Sequence, residues 1–155
     1  MFEFIFVEID EHYVAASLLF REYAQWLGID LSFQSFEKEL VDLKQMYASP
    51  KGMILLCKYD NIYVGCVAVR PNEAYVAELK RMYVKPVFQK QGVGQALLER
   101  SLDFCKQAGY QKVRLDTLNS MTPAMNLYKK NGFVSIPAYY HNPFSEAVYF
   151  EKSLV

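Results

Sequence analysis

The chain has 155 residues and a mass of 18.0 kDa, the size of one domain by the usual range of ~100–200 residues. Its hydrophobic fraction of 52% and charged fraction of 22% exclude disorder along the whole chain and predict a core that forms without disulfides. Lysines and arginines number 17, as do aspartates and glutamates. This zero net charge argues against nucleic-acid or anionic-membrane partners bound through bulk charge.

The first half of the chain is predicted to contain one strand, two helices and a three-stranded meander. The predicted elements are a strand over residues 2–9, a helix over 12–27, a helix from Ser35 to the break at residues 50–52, and strands over 53–59, 62–70 and 75–84. Asp60 and Asn61 predict the tight turn between the first two meander strands. Pro71 and Asn72 predict the next turn.

The second half begins with a loop over residues 85–94 that leads into a helix ending at Gly109. The remaining predicted elements are a strand over residues 112–117, a helix over 122–131, and strands over 133–139 and 147–154. Three hairpin-connected strands in a row exclude a doubly wound parallel sheet. The predicted fold is therefore α/β (α+β), a mixed, mostly antiparallel sheet of about six or seven strands with helices on both faces. It forms a single domain over residues 1–155.

Cysteine and histidine usage predicts a reduced protein without a metal site. Cys57, Cys66 and Cys105 are odd in number and far apart, which is typical of a cytoplasmic protein without disulfides. With two histidines and no CxxC sequence, the close ligand spacing of a zinc site is missing. No apolar window reaches the ~18 residues that span a membrane. The apolar N-terminus lacks a basic leader and a cleavage site, so we interpret it as a strand.

The sequence of residues 89–94, QKQGVG, joins a predicted strand to a predicted helix. Free N–H groups and the dipole of a helix N-terminus attract anions, and glycine lets a phosphate approach the backbone. No GK[ST] sequence is present, which excludes a Walker loop. Asp116 has the spacing of a ribose-binding acid, but seven residues including Pro86 separate the strand from Gly92, which disfavours a dinucleotide-binding turn. Two interpretations of this segment therefore stay open: a phosphate-binding loop of another type, or a turn that binds no ligand.

Two motifs together resemble those of the GNAT superfamily of acyl-CoA N-acyltransferases. QKQGVG at residues 89–94 matches the signature Q/R-x-x-G-x-G/A, and AMNLYKKNGF at residues 124–133 is similar to the second motif, A-x-x-L-Y-x-x-x-G-F. Finer details resemble a bacterial-type subgroup of uncharacterised members: ELKRMYV at 78–84, LDTLNSM at 115–121 and YYHNP at 139–143. The resemblance covers essentially the whole chain. It implies the GNAT fold and an N-acetyltransferase that uses acetyl-CoA as cosubstrate, without a metal.

The resemblance also implies which residues bind coenzyme A. Its pyrophosphate would lie on the loop and helix start formed by Gln89, Lys90, Gln91, Gly92, Val93, Gly94 and Gln95. Its pantetheine arm would pair like an extra strand with backbone groups of Met82 and Val84. Family members usually carry an asparagine where this chain has Met121, so the substitute for that contact is left among Asn119, Ser120 and Asn126.

Tyr128 stands where the superfamily places its general acid. A phenol of pKa ~10 is a suitable donor to a thiolate leaving group. Glu78 stands where some members carry the general base, and partial burial would raise its pKa toward that role. The alternatives are that Tyr128 only packs a helix face and that Glu78 pairs with Lys80, which lies on the same strand face. Strand alternation predicts Arg81 on the opposite face.

Weaker candidates lie outside these motifs. Arg21 and Tyr23 fall in the first helix, which often borders the acceptor groove in this fold. The polar and aromatic residues of the 139–142 loop, including His141, are further candidates, although a surface histidine is the more ordinary interpretation. The cysteines are expected to pack as small apolar residues.

Together these observations predict an N-acetyltransferase that moves acetyl from acetyl-CoA to an amine by direct attack in a ternary complex. Neutral net charge and the tyrosine-rich closing loop favour a small-molecule acceptor. Two alternatives stay open: a non-catalytic domain that binds or senses acyl-CoA, and a peptide or protein N-acetyltransferase. No nucleic-acid or membrane partner is expected, and a homodimer is left open.

Overall fold

The computed structural model describes residues 1–155 as seven strands and five helices around one sheet. The strands are β1 (Phe2–Phe6), β2 (Met53–Tyr59), β3 (Ile62–Glu73), β4 (Val76–Val84), β5 (Lys112–Leu118), β6 (Val134–Ile136) and β7 (Ala147–Ser153). The helices are α1 (Asp10–Leu27), α2 (Phe36–Val41), α3 (Leu43–Met46), α4 (Val93–Gln107) and α5 (Thr122–Lys130). Short 3₁₀ turns occur at Ser32–Gln34 and Pro86–Phe88. None of the helices combines the length and apolar character needed to cross a membrane.

The strand order is β1-β2-β3-β4-β5-β7-β6, and every neighbouring pair is antiparallel except β4 and β5. This confirms the predicted mixed, mostly antiparallel sheet. The helix α4 connects the parallel pair, as a parallel crossover requires.

Strands β4 and β5 are paired only at their beginnings. Val76, Ala77 and Glu78 of β4 pair with residues 112–114 of β5, whereas β3 follows β4 as far as Val84 and β7 follows β5 as far as Leu118. The two halves of the sheet therefore diverge beyond Glu78. A V-shaped cleft opens between them, with unpaired strand edges on both sides.

The sheet is covered on both faces, as the sequence predicts. One apolar core lies between the sheet and α4 and α5, and contains Leu97, Leu98 and Phe150. The other lies under α1, α2 and α3, and contains Phe20, Leu56 and other residues. Both cores hold residues from β2, β3 and β4, because successive side chains of a strand point to opposite faces.

A bulge in β4 overturns the predicted position of Arg81. The pairing of β3 with β4 slips between the pairs Cys66–Tyr83 and Ala68–Lys80, and Arg81 has a φ of +59°. An extra residue in a strand breaks the two-residue alternation. Arg81 therefore lies on the same side of the sheet as Lys80, under the α1–α2 segment, where it contacts Glu39.

Three predicted element boundaries also differ from the structure. The predicted second helix is divided at Asp42 into α2 and α3. The turn predicted at Pro71 and Asn72 is wrong, because β3 continues to Glu73. Pro71 lies beyond the end of the β2–β3 pairing at Val69, so its missing N–H group removes no bond to β2. The strand predicted over residues 133–139 shortens to β6, which ends just before Pro137.

Candidate active site

The cleft between β4 and β5 continues into a cavity of about 680 Å³. Its walls come from residues 79–84 of β4, residues 115–118 of β5, the end of α1 with the segment after it, the loop before α4, and α5. This volume is in the range of small-molecule and cofactor sites. If the predicted site residues act together, we expect them to line this cavity.

The loop before α4 presents a row of free backbone donors. The N–H groups of residues 90–95 donate no hydrogen bond within the protein. Lys90 and Gly92 both have positive φ, +63° and +84°, which turns successive N–H groups toward one side and forms an anion-binding concavity. The N-terminal dipole of α4 adds partial positive charge there. These features fit a pyrophosphate, as the motif predicts.

The glutamine side chains of this loop are occupied by bonds within the protein. Gln89 Nε2 donates to the Val84 carbonyl at 2.9 Å, and Gln91 Nε2 donates to the Val87 carbonyl at 3.3 Å. Among the predicted binding residues, the cavity lining includes Met82, Val84, Gln89, Lys90, Gly92, Gly94 and Gln95. Gln91 does not line it, and the side chain of Val93 is buried in the core below α4. The backbone N–H groups and the Lys90 side chain are thus the parts of the loop that are available to a ligand.

Tyr128 lines the cavity and its hydroxyl has no hydrogen-bond partner in the protein. Its ring packs against Phe133 and Phe150, with centroid distances of 5.7 and 6.3 Å. Burial, with smaller contributions from the charges of Tyr23 and Asp116, raises the pKa of Tyr128 far above its ordinary value. The hydroxyl is therefore protonated at neutral pH and free to donate into the cavity, but burial makes it a weaker acid than the phenol of ordinary pKa that the sequence predicts.

Glu78 is buried and held by three groups. Its Oε1 accepts from Arg70 Nε at 2.9 Å, its Oε2 accepts from the Tyr139 hydroxyl at 2.8 Å, and Lys80 Nζ lies 4.0 Å away. Burial alone would raise the pKa of Glu78, but the charges of Lys80 and Arg70 and these hydrogen bonds hold it below its usual value. The expected upward shift is therefore wrong in direction. Glu78 is also absent from the cavity lining.

Asp116 is the acidic side chain in the cavity lining, and the sequence did not single it out as catalytic. It lies on β5, its Oδ2 accepts a hydrogen bond from the Tyr140 hydroxyl at 2.7 Å, and no cation lies within 4 Å. Burial raises its pKa, partly offset by the Tyr140 hydrogen bond and by the charge of Lys80. Asp116 is the one acidic residue of β5, between the apolar residues Leu115 and Leu118, and this is the signal that could have indicated it.

Two cationic side chains of β4 also reach the cavity. Arg81 forms a buried ion pair with Glu39 at 2.7 Å and donates to Gln34 Oε1 at 2.8 Å. Lys80 is buried as deeply, but its nearest partners are Gln34 Oε1 at 3.5 Å and a Glu78 oxygen at 4.0 Å. Burial and then the charge of Arg81 lower the pKa of Lys80 to about 8.

Some of the weaker candidates line the cavity and others do not. Tyr23 lines the cavity, whereas Arg21 pairs with Glu37 on the surface at 3.0 Å. Of the possible substitutes for the family asparagine, Ser120 lines the cavity beside Met121 and the two asparagines do not. His141 is exposed. All three cysteines are buried, and burial raises their thiol pKa, for Cys57 to about 11 and for Cys105 to about 12.

Comparison with known proteins identifies relatives of the whole arrangement. The model of the Acetyltransferase (GNAT) family matches residues 7–133. An uncharacterised N-acetyltransferase of Schizosaccharomyces pombe is 37% identical over 134 residues, which cover 85% of this chain and 82% of that protein.

Two solved structures share the fold. One is an acetyltransferase of the GNAT family from Staphylococcus aureus Mu50, with a TM-score of 0.84, 17% identity and full coverage of both chains. The other is the PaiA N-acetyltransferase of Thermoplasma acidophilum in complex with coenzyme A, with a TM-score of 0.76, 22% identity and 99% coverage of both chains.

Proposed function

The chain belongs to the GNAT family of acetyltransferases and is an acyl-CoA-dependent N-acyltransferase, and from this we propose that it transfers acetyl from acetyl-CoA to a small amine by direct attack in a ternary complex. One observation carries the proposal. The cleft between β4 and β5 has free N–H groups at one end, the unpartnered Tyr128 hydroxyl in its wall, and Asp116 on the opposite strand.

Coenzyme A fits the end of the cleft beside α4. The N–H groups of residues 90–95 would hold the pyrophosphate, and Lys90 would add a positive charge. The free edge of β4 at Met82 and Val84 would pair with the amides of the pantetheine arm, as a peptide adds to an open sheet edge. This mode of binding uses mainly backbone groups. It therefore agrees with the observation that the Gln89 and Gln91 side chains form their hydrogen bonds within the protein.

Asp116 and Tyr128 supply the two proton transfers that the reaction needs. The amine nitrogen forms a bond to the acetyl carbonyl carbon while the carbon–sulfur bond breaks. In our proposal the Asp116 carboxylate accepts the proton that the amine loses, and the Tyr128 hydroxyl donates one to the departing thiolate. Asp116 is suited to this because it lines the cavity and has no ion-pair partner. Glu78, the base predicted from the sequence, stays a prediction, and its bonds to Arg70 and Tyr139 favour a positioning role.

Contacts between two loops at the acceptor end favour a small acceptor over a peptide. The loop before β7 reaches across to the segment after α1, where Gln34 Nε2 donates to the Tyr140 hydroxyl at 3.0 Å and the rings of Phe33 and Phe144 lie 5.5 Å apart. These contacts join two loops above the cleft. A long peptide would have to separate them.

The proposal is tested by following thiol release from acetyl-CoA with a panel of amines that includes amino acids, polyamines, aromatic amines and short peptides. We expect amine-dependent release with at least one small amine, and a raised melting temperature with acetyl-CoA alone because the ligand binds the native state. Binding of acetyl-CoA without release across the whole panel would contradict the proposal. Release with peptides only would replace the small acceptor with a peptide.

Replacing Gly92 with valine should weaken acetyl-CoA binding at least tenfold, since each hydrogen bond to a charged group contributes about 1.5–3 kcal/mol. A Cβ at Gly92 would point into open space on the loop, and the φ of +84° also disfavours valine. Gly109→Val is the control, because Gly109 also has a positive φ, +90°, its Cβ would meet only Lys51 Nζ, at 3.9 Å, and it does not line the cavity. Calorimetric titration of both folded variants gives the Kd. An unchanged Kd in Gly92→Val would remove the loop from the binding site.

A further inference from the structure

Two side chains of opposite charge face the acceptor end of the cavity, and neither has a group of opposite charge closer than 4.0 Å. Lys80 lies on β4 and Asp116 on β5, the two strands that diverge to form the cleft. Three hydrogen bonds connect them through Gln34 and Tyr140, at 3.5, 3.0 and 2.7 Å. The ammonium and the carboxylate are thus near each other but do not form an ion pair.

The other charged side chains beside this end form ion pairs with one another. Arg81 pairs with Glu39 at 2.7 Å, and Arg70 pairs with Glu78 at 2.9 Å. Lys80 lies 4.0 Å from Glu78, an oxygen that Arg70 already occupies. Its side chain is only 7% exposed. A buried ammonium without a close carboxylate is unfavourable unless a ligand supplies one.

We propose that the acceptor is a free α-amino acid with a large apolar side chain, whose amino group lies at Asp116 and whose carboxylate binds Lys80. The proposal rests on the acetyl-transfer function proposed above and names its substrate class. The ammonium and carboxylate of an α-amino acid are joined by one carbon atom, so they can meet two opposite charges on neighbouring walls of one cleft. Neither a simple amine nor an interior peptide residue carries both groups.

Aromatic residues provide the place for the acceptor's side chain. Tyr23 and Trp26 from the end of α1, with Phe33 from the turn after it, line the cavity. Trp26 is 44% exposed although its ring packs on Tyr83, with centroids 5.5 Å apart. A partly exposed indole at the mouth of a cavity leaves apolar area for a bound side chain to cover.

Binding the carboxylate at Lys80 would also orient the amine. Two charged contacts on one small molecule fix its rotation, which holds the nitrogen toward Asp116 and toward the cleft where the thioester lies. The low pKa of Lys80, about 8, agrees with a site that gains an anion on binding, because a carboxylate would stabilise the charged form.

The test compares acceptors that differ in one group. Phenylalanine and leucine are each assayed beside their amides and their decarboxylated amines. They are also assayed beside phenylalanylglycine and leucylglycine, in which the amine stays next to the side chain and the carboxylate is displaced by one residue. For the wild type we expect kcat/KM to be at least roughly tenfold higher for a free amino acid than for the matching amine or amide, the size of one charged hydrogen bond.

Lys80→Met removes the charge and keeps the length of the side chain. Measured at a pH where Asp116 is ionised in both enzymes, because loss of the Lys80 charge also raises the pKa of Asp116, it should lower kcat/KM for the preferred amino acid roughly 10- to 100-fold. It should leave kcat/KM for the decarboxylated amine within about threefold of wild type. Lys85→Met is the matched control, because Lys85 pairs with Glu22 at 3.1 Å outside this cavity, and we expect all its values to stay near wild type. Retention of acetyl-CoA binding shows that Lys80→Met is folded, and Lys80→Gln provides a second variant.

The outcomes separate this proposal from the function on which it rests. Equal wild-type rates with and without the carboxylate, or an equal loss for all acceptors in Lys80→Met, would overturn the amino-acid assignment while acetyl transfer stands. No thiol release with any amine would count against acetyl transfer. In that case calorimetric titration of phenylalanine and leucine into the complex with coenzyme A still decides the assignment: binding that Lys80→Met abolishes supports it, and no binding to the wild type overturns it.

Discussion

Replacing Tyr128 with phenylalanine should lower kcat roughly 10²–10⁴-fold, the usual contribution of general acid catalysis. The change removes one oxygen and keeps the ring that packs on Phe133 and Phe150. The hydroxyl makes no hydrogen bond within the protein, so its loss should not destabilise the fold. Acetyl-CoA affinity should stay near wild type, since the loss falls on a group that acts when the thiolate departs. Steady-state kinetics and calorimetric titration measure the two effects.

Tyr110→Phe is the matched control for this substitution. The Tyr110 hydroxyl donates to the Lys51 carbonyl at 2.7 Å, and Tyr110 does not line the cavity. Its loss should cost about 1 kcal/mol of stability and leave kcat unchanged. A Tyr128→Phe enzyme with wild-type kcat, in a single-turnover experiment where chemistry limits the rate, would reduce Tyr128 to a packing residue.

Replacing Asp116 with asparagine should lower kcat/KM at neutral pH roughly 10²–10⁴-fold if Asp116 accepts the amine's proton. The amide oxygen can still accept the Tyr140 hydrogen bond, so the site should keep its shape. The rate of the variant should recover partly at high pH, where the amine is already deprotonated. Glu78→Gln is measured beside it, because the sequence predicts Glu78 for the same role.

The pH dependence distinguishes the two carboxylates. Asp116 acts as a base only when ionised, and its pKa is raised by burial, so wild-type activity should fall as the pH drops through that raised value. Asp116→Asn should lack this acid limb. The pKa of Glu78 is lowered instead, so it stays ionised over the same range. Glu78→Gln should therefore keep a profile parallel to wild type, reduced less than about tenfold. The reverse pattern would restore Glu78 as the base.

Local sequence was sufficient to predict the elements and the loop that precedes α4, and the binding of coenzyme A by that loop stays a prediction. Apolar residues at helical and strand spacing gave nearly all the elements, because side-chain periodicity follows from backbone geometry alone. Gly92 was identifiable as well, since its positive φ at the start of α4 is a conformation that glycine adopts without strain. Tyr128 was singled out as a candidate acid by a motif contained in one helix and its end, and its role as an acid stays a prediction. The GNAT family and its enzymatic class, both predicted from these motifs, are confirmed by the family match.

The chemistry of the acceptor end was decided by contacts between distant parts of the chain. Glu78 is held by Arg70 across a hairpin and by Tyr139, which is 61 residues away. Strand alternation did place Lys80 on the same strand face as Glu78, and the two lie 4.0 Å apart. It carries no information about Tyr139 or about the depth of burial, so the balance that lowers the pKa of Glu78 could not be predicted. Asp116 and Lys80 face one cavity only because β4 and β5 stop pairing after Glu78. Strand alternation cannot reveal where two strands part, because the length of a pairing is set by the packing of the whole sheet.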